Sequence, residues 1–171
     1  MRTPVRDARS YLRALGLHLR AYGLSYASLL AGIVYFSAHF TVGVNATPSL
    51  PYTLCFIVKG EFTPRRGDLV AFRWPGGGPY PAGAVFSKFV RGVPGDEVIA
   101  VGREFFVNGQ SVGLAKRFST QREALAPGPT GVIPEGQYYV AGTHPDSLDS
   151  RYALAGWIRR EALIGRAHVV F

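Results

Sequence analysis

Two regimes of hydrophobic patterning divide this chain. From Leu24 to Val44 the sequence reads LSYASLLAGIVYFSAHFTVGV, a run of 21 apolar, small and weakly polar residues with no Asp, Glu, Lys or Arg. As a helix it would be about 31 Å long, close to the hydrocarbon thickness of a bilayer. It predicts a transmembrane anchor over residues 23–44. Beyond Val44 the apolar runs become short and are punctuated by turn residues. Leu54–Val58, Asp68–Trp74, Val85–Arg91, Glu97–Val101, Phe105–Asn108, Tyr138–Ala141 and Ala167–Phe171 are predicted strands. Asn108-Gly109 between two such runs signals a tight hairpin, and Pro94-Gly95-Asp96 and Pro134-Glu135-Gly136 signal further turns. Ile158–Ile164 predicts a short helix ended by Gly165. Lys116–Thr130 is polar and carries Pro-Gly-Pro, so residues 113–133 are expected to contain a surface excursion. The pattern predicts a mostly β, antiparallel domain over residues 45–171 on a single N-terminal transmembrane helix.

Charge gives the anchor a direction. The net charge is +8, but no basic run or recognition motif for DNA or RNA is present, so nucleic acid is not an expected partner. Residues 1–22 carry Arg2, Arg6, Arg9, Arg13 and Arg20 against Asp7. Arginines before a span keep that end in the cytoplasm. Residues 1–22 are therefore expected as a cytoplasmic basic leader, lying on the lipid surface as a short amphipathic helix. Residues 45–171 are expected outside the inner membrane of a bacterium, in the periplasm. The apolar stretch is longer than that of a cleaved signal peptide and begins after a longer basic leader, which favours an uncleaved anchor. Tyr22, Tyr26, Tyr35 and Phe40 supply interfacial aromatics.

One residue breaks the β pattern. Lys88 lies in Ala84-Val85-Phe86-Ser87-Lys88-Phe89-Val90, where strand alternation puts it on one face with Phe86 and Val90. Three lysines stand against sixteen arginines in the chain, and arginine does not deprotonate in proteins. A lysine in apolar surroundings can become a neutral amine and act as a general base; the other reading is a side chain that snorkels to the strand end. A base needs a hydroxyl to serve. Ser49 in Thr47-Pro48-Ser49-Leu50-Pro51 is held between two prolines, and Ser147 and Ser150 lie in the polar stretch from Gly142 to Tyr152, where Asp149 and Arg151 are spaced to pair. A Ser–His–Asp triad is disfavoured, since no Gly-x-Ser-x-Gly elbow occurs. Two scattered histidines make no metal site, and no cofactor is expected. The single cysteine, Cys55, excludes an internal disulfide and reads as a small buried hydrophobe.

Several blocks, in order, resemble the type I signal peptidases, membrane-bound serine proteases with a Ser–Lys dyad. Ser49-Leu50-Pro51 resembles the nucleophile block and Gly67-Asp68-Leu69-Val70-Ala71-Phe72 the strand that follows it. Lys88 through Asp96 resembles the lysine block, Phe106-Val107-Asn108-Gly109 the next hairpin, and Gly142–Tyr152 with Leu163-Ile164-Gly165-Arg166-Ala167 the closing block. The resemblance implies a signal-peptidase-like β domain in which Ser49 is the nucleophile and Lys88 the general base. It makes the Thr47 hydroxyl and the Ser49 backbone N–H the oxyanion donors. Ser147 would orient the lysine, and Asp149 and Arg151 would form a supporting ion pair. Two departures stand out: the block proline comes one position early, at Pro51, and the usual Gly-Asp-Asn opening is Gly142-Thr143-His144. The short Thr-Pro-Ser-x-Pro segment and compact domain look more like the TraF branch, which matures conjugative pilins and in some members joins the pilin ends. The implied partner is a membrane-embedded precursor, a prepilin in that branch, cleaved at the membrane surface, because Ser49 lies five residues beyond Val44. A general secretory signal peptidase and a non-catalytic assembly protein of a conjugation apparatus are the alternatives.

Overall fold

The computed structural model describes residues 8–45 and 49–170, and the chain divides into two compact units after His39. The first is one helix, α1 (Ala8–His39). It is long and apolar enough to cross a membrane, and none of its residues is buried within the protein. Residues 8–22 of the expected leader continue into the span without a break.

The expected end of the anchor is corrected. The helix stops at His39, and Phe40–Val44 forms strand β1. It pairs antiparallel with β2 (Leu54–Lys59), from Phe40 opposite Val58 to Val44 opposite Leu54. Phe40, Thr41, Val42 and Val44 are aromatic or β-branched residues that fit a pleated surface, and β2 offers them a hydrogen-bonding edge. Hydropathy does not distinguish an apolar strand from an apolar turn of helix.

The remaining strands are β3 (Leu69–Arg73), β4 (Val85–Gly92), β5 (Glu97–Val101), β6 (Glu104–Val107), β7 (Gln110–Leu114), β8 (Gly131–Val132), β9 (Gln137–Ala141), β10 (Ile158–Arg159) and β11 (Leu163–Val169). They build a seven-stranded sheet in the order β1-β2-β11-β3-β4-β9-β10 and a four-stranded sheet in the order β7-β6-β5-β8. The fold is mostly antiparallel β, as the alternation predicts. Asn108 and Gly109 turn the β6–β7 hairpin with φ of 48° and 77°, the two left-handed residues that a type I′ turn requires.

Burial follows strand alternation. Leu69, Val70, Ala71 and Phe72 of β3 are all buried, so both faces of that strand are covered. Val70, Phe72 and Trp74 pack with Val90, Tyr138 and Val140 on one face. Leu69 and Ala71 pack with Leu50, Tyr52, Cys55 and Ile57 on the other. Val98, Phe105, Val107, Ile133 and Tyr139 form a third apolar cluster beneath the smaller sheet.

A second expectation fails at residues 158–164. They form β10, a single turn of 3₁₀-helix (Arg160–Ala162) and the start of β11 rather than a helix. Gly165 is no cap; it lies within β11 opposite Lys59 and Ala71. A Cβ there would come within 1.9 Å of the Val58 carbonyl oxygen, so glycine permits the strands to approach.

The polar excursion is folded back on the domain. The Arg103 side chain donates to the carbonyls of Ala115 (2.7 Å), Lys116 (2.7 Å) and Leu125 (2.8 Å), gathering the excursion's two limbs. The Gly128 N–H reaches the Arg151 carbonyl at 2.8 Å, and the Lys116 N–H reaches the Tyr152 hydroxyl at 3.1 Å.

Candidate active site

The site begins with the register of β4. Lys88 stands opposite Val70, between Phe86 opposite Phe72 and Val90 next along the same face. The expected face is therefore the observed one, and Lys88 is only 4% exposed. Its Nζ lies 5.7 Å from the centroid of the Phe86 ring, which is itself stacked on Trp74 at 4.7 Å. Among the described residues the ammonium has no ion-pair partner within reach. Burial in this apolar setting pulls its pKa from 10.5 down to about 8; nearby Asp149 pulls the other way, and Arg151 adds to the depression.

β9 pairs with β4 only from Phe89 to Gly92. The stretch Val85–Lys88 therefore has no strand partner on that side among the described residues, and it opens on a cleft of about 530 Å³. β1 lies at the end of the seven-stranded sheet and lines the same cleft through Thr41–Val44. Ser49 is on the cleft wall together with Lys88, and it is 6% exposed.

Two sets of contacts hold the loop that carries Ser49. From one side, Asn45 donates its side-chain Nδ2 to the carbonyls of Leu50 (3.2 Å) and Tyr52 (3.0 Å), while the Ser49 Oγ–H points to Asn45 Oδ1 at 3.5 Å. From the other side, the Ser49 carbonyl accepts the Thr143 N–H at 3.0 Å and the His144 N–H at 3.4 Å. This second set comes from the closing loop where β9 ends, which brings Gly142–Tyr152 beside Lys88. A Cβ on Gly142 would lie 2.2 Å from Ser147 Oγ and 2.6 Å from the Ser49 carbonyl oxygen. Nothing larger than glycine fits between the two serines.

The closing loop is organised by its ion pair. Arg151 Nε and Nη2 each reach one oxygen of Asp149 at 2.8 Å, a bidentate pair with both side chains buried. Asp149 also accepts the Gly142 N–H at 2.9 Å. Arg151 donates to the carbonyls of Ser147 (3.2 Å) and Leu114 (3.3 Å), tying the loop to β7. Ser147 is 1% exposed, and its Oγ has no hydrogen-bond partner among the described residues. At the rim, Lys116 of the excursion pairs with Asp146, and His144 Nδ1 accepts the Asp146 N–H at 3.1 Å.

Of the six residues singled out from the sequence, the fold gathers Ser49, Lys88, Ser147, Asp149 and Arg151 around one cleft and its supporting loop. Thr47 lies outside the described residues. The sequence reading missed Asn45, Gly142 as a spacer, and β1 as a cleft wall. Asn45 had a signal, an amide at the end of an apolar run four residues before Ser49. Gly142 had none beyond its place in the block.

Comparison with known proteins identifies a family. Residues 16–171 match the family described as Signal peptidase, peptidase S26. The chain is 35% identical over 117 residues to a protein of Synechocystis sp. named Probable signal peptidase I-2, an alignment covering 63% of this chain and 48% of that protein. It thus spans about half the length of that curated relative. A crystal structure of a signal peptidase I from Enterococcus faecalis aligns with 26% identity and a TM-score of 0.41, covering 66% of this chain and 100% of the other. With the match running over most of its length, this chain belongs to the peptidase S26 signal peptidase family.

Proposed function

We propose that this protein is a membrane-anchored serine endopeptidase that cleaves a membrane-embedded precursor through a Ser49–Lys88 dyad. The observation that carries this reading is a buried lysine, with its pKa lowered to about 8, on the same cleft as a buried serine. Neutral Lys88 Nζ takes the Ser49 proton as Oγ attacks the scissile carbonyl carbon. The Ser49 N–H and the Thr47 hydroxyl stabilise the resulting oxyanion, a donor being worth about 3 kcal/mol in such a transition state. The C–N bond then breaks, the Lys88 ammonium returns its proton to the leaving amine, and an ester remains on Ser49. Water releases the acid. Ser147 orients the Lys88 amine, and the Asp149–Arg151 pair holds the loop that carries Ser147.

Among the described residues no further strand pairs with the outer edge of Thr41–Val44 or with Val85–Lys88 on the cleft side, and this supports an extended substrate segment, since each stretch offers backbone N–H and C=O groups to an added strand. With α1 across the membrane and its arginines in the cytoplasm, the β domain lies on the periplasmic side of the inner membrane. The precursor is then met at the lipid surface.

The finer reading is a conjugative prepilin, supported by the short Thr47-Pro48-Ser49-Leu50-Pro51 segment and the compact domain. There the pilin's own terminal amine replaces water and closes the chain into a ring. A second reading, a general secretory signal peptidase, is supported by the similarity to the Synechocystis protein of that name. Ser49→Ala and Lys88→Ala are each expected to abolish processing while the protein still accumulates; processing retained in either sinks the dyad. A panel of exported precursors set against a pilin separates the two substrates. The intact mass of the product reports cyclisation as one further water lost.

A further inference from the structure

We infer that Asn45 is a positioning residue for the Ser49 hydroxyl: its amide clamps the loop that carries Ser49 and offers that hydroxyl an acceptor. This rests on the reading of Ser49 as nucleophile. The orientation of the amide is fixed by its partners. Leu50 O and Tyr52 O lie 3.2 and 3.0 Å from Nδ2 and can only accept, so the NH₂ end faces them. Oδ1 therefore faces Ser49 Oγ, 3.5 Å away, and an amide oxygen can only accept. The proton on that line is the serine's own, the one that must leave in catalysis. The Asn45 N–H donates to Thr53 O at 2.8 Å, so one residue closes the loop by backbone and side chain together.

Asn45 and Lys88 line the same cleft. While Lys88 is an ammonium it has no lone pair to receive a proton, and Oδ1 keeps the hydroxyl directed. Once Lys88 is neutral, its lone pair is a stronger acceptor for that proton than the amide oxygen. Charged groups near Lys88 are Asp149 and Arg151, with His144 and Asp146 on the cleft wall.

The test compares full-length wild type, Asn45→Ala and Asn45→Asp in detergent on a precursor peptide, from about pH 6 to about pH 10. Asn45→Ala is expected to lose roughly tenfold or more in kcat with KM within about twofold, and to keep the acid-limb midpoint of kcat/KM. Asn45→Asp puts a carboxylate beside Ser49 and is expected to move that midpoint up by about one pH unit. Wild-type kcat in Asn45→Ala, or a change confined to KM, overturns the proposal. If Asn45→Ala does not accumulate, the equal-sized Asn45→Asp decides: wild-type kcat and midpoint overturn the proposal, and lowered kcat with a raised midpoint supports it. Ser49→Ala in parallel separates the levels, because activity there removes the nucleophile reading itself.

Discussion

Lys88 combines a cost in folding with the proposed role of general base. Its ordinary pKa of 10.5 falls to about 8 in the folded protein, with burial as the leading cause. If the neutral amine is the base, kcat/KM rises about tenfold per pH unit below pH 8 and levels off above it, as a pH–rate profile on a precursor peptide would show. The linkage has the opposite sense to a stabilising ion pair. Between pH 8 and 10.5 the unfolded chain binds the proton that the folded chain has lost, so stability rises across that window. Below pH 8 the full cost is present, up to about 3 kcal/mol for 2.5 pH units at about 1.4 kcal/mol each. Lys88→Met is therefore expected to be inactive yet more stable at neutral pH, by on the order of 1–3 kcal/mol in denaturant titration. A mutant less stable than wild type would mean that the ammonium is well solvated after all.

At the scale of elements, sequence reading succeeds where local pattern and tertiary partner agree. β4 and β5 are legible from alternation, and the β6–β7 hairpin from Asn108-Gly109. The readings fail where a partner decides. Phe40–Val44 is as apolar as the helix before it, and only the edge of β2 turns it into a strand. Gly165 looks like a helix terminator because glycine signals both caps and close approaches. Its real constraint is the Val58 carbonyl across the sheet. The site shows the same division. Lys88 stands out because a lysine is chemically out of place in its strand, and Ser49 through the resemblance of its block, whereas Asn45 contacts backbone carbonyls that no side-chain pattern reveals. Gly165→Ala should force β11 off β2 and destabilise the domain by about 3 kcal/mol or more, measured as a lowered unfolding midpoint. An unchanged midpoint would mean that the strands separate there at little cost.

Across the molecule, β1 belongs to the domain and not to the anchor, which fixes where the two can be parted. A chain starting at Phe40 keeps the seven-stranded sheet and is expected to fold as a soluble, cooperative unit. One starting at Asn45 loses β1, bares the edge of β2 and is expected to aggregate. Light scattering and thermal unfolding of the two compare them directly, and equal behaviour would show β1 to be dispensable. The strand order has a consequence in time. β11 lies between β2 and β3, yet it is the last of the described strands to leave the ribosome. Until it arrives, no described strand joins the β1–β2 hairpin to the β3–β4 pair, and the two are held together by the packing of Leu50, Tyr52 and Ile57 on Leu69 and Ala71 and by the Thr143 and His144 N–H groups on the Ser49 carbonyl. A chain not yet extended through β11 is thus expected to hold Ser49 and Lys88 only loosely against each other, so that the two candidate groups come into fixed register late in synthesis.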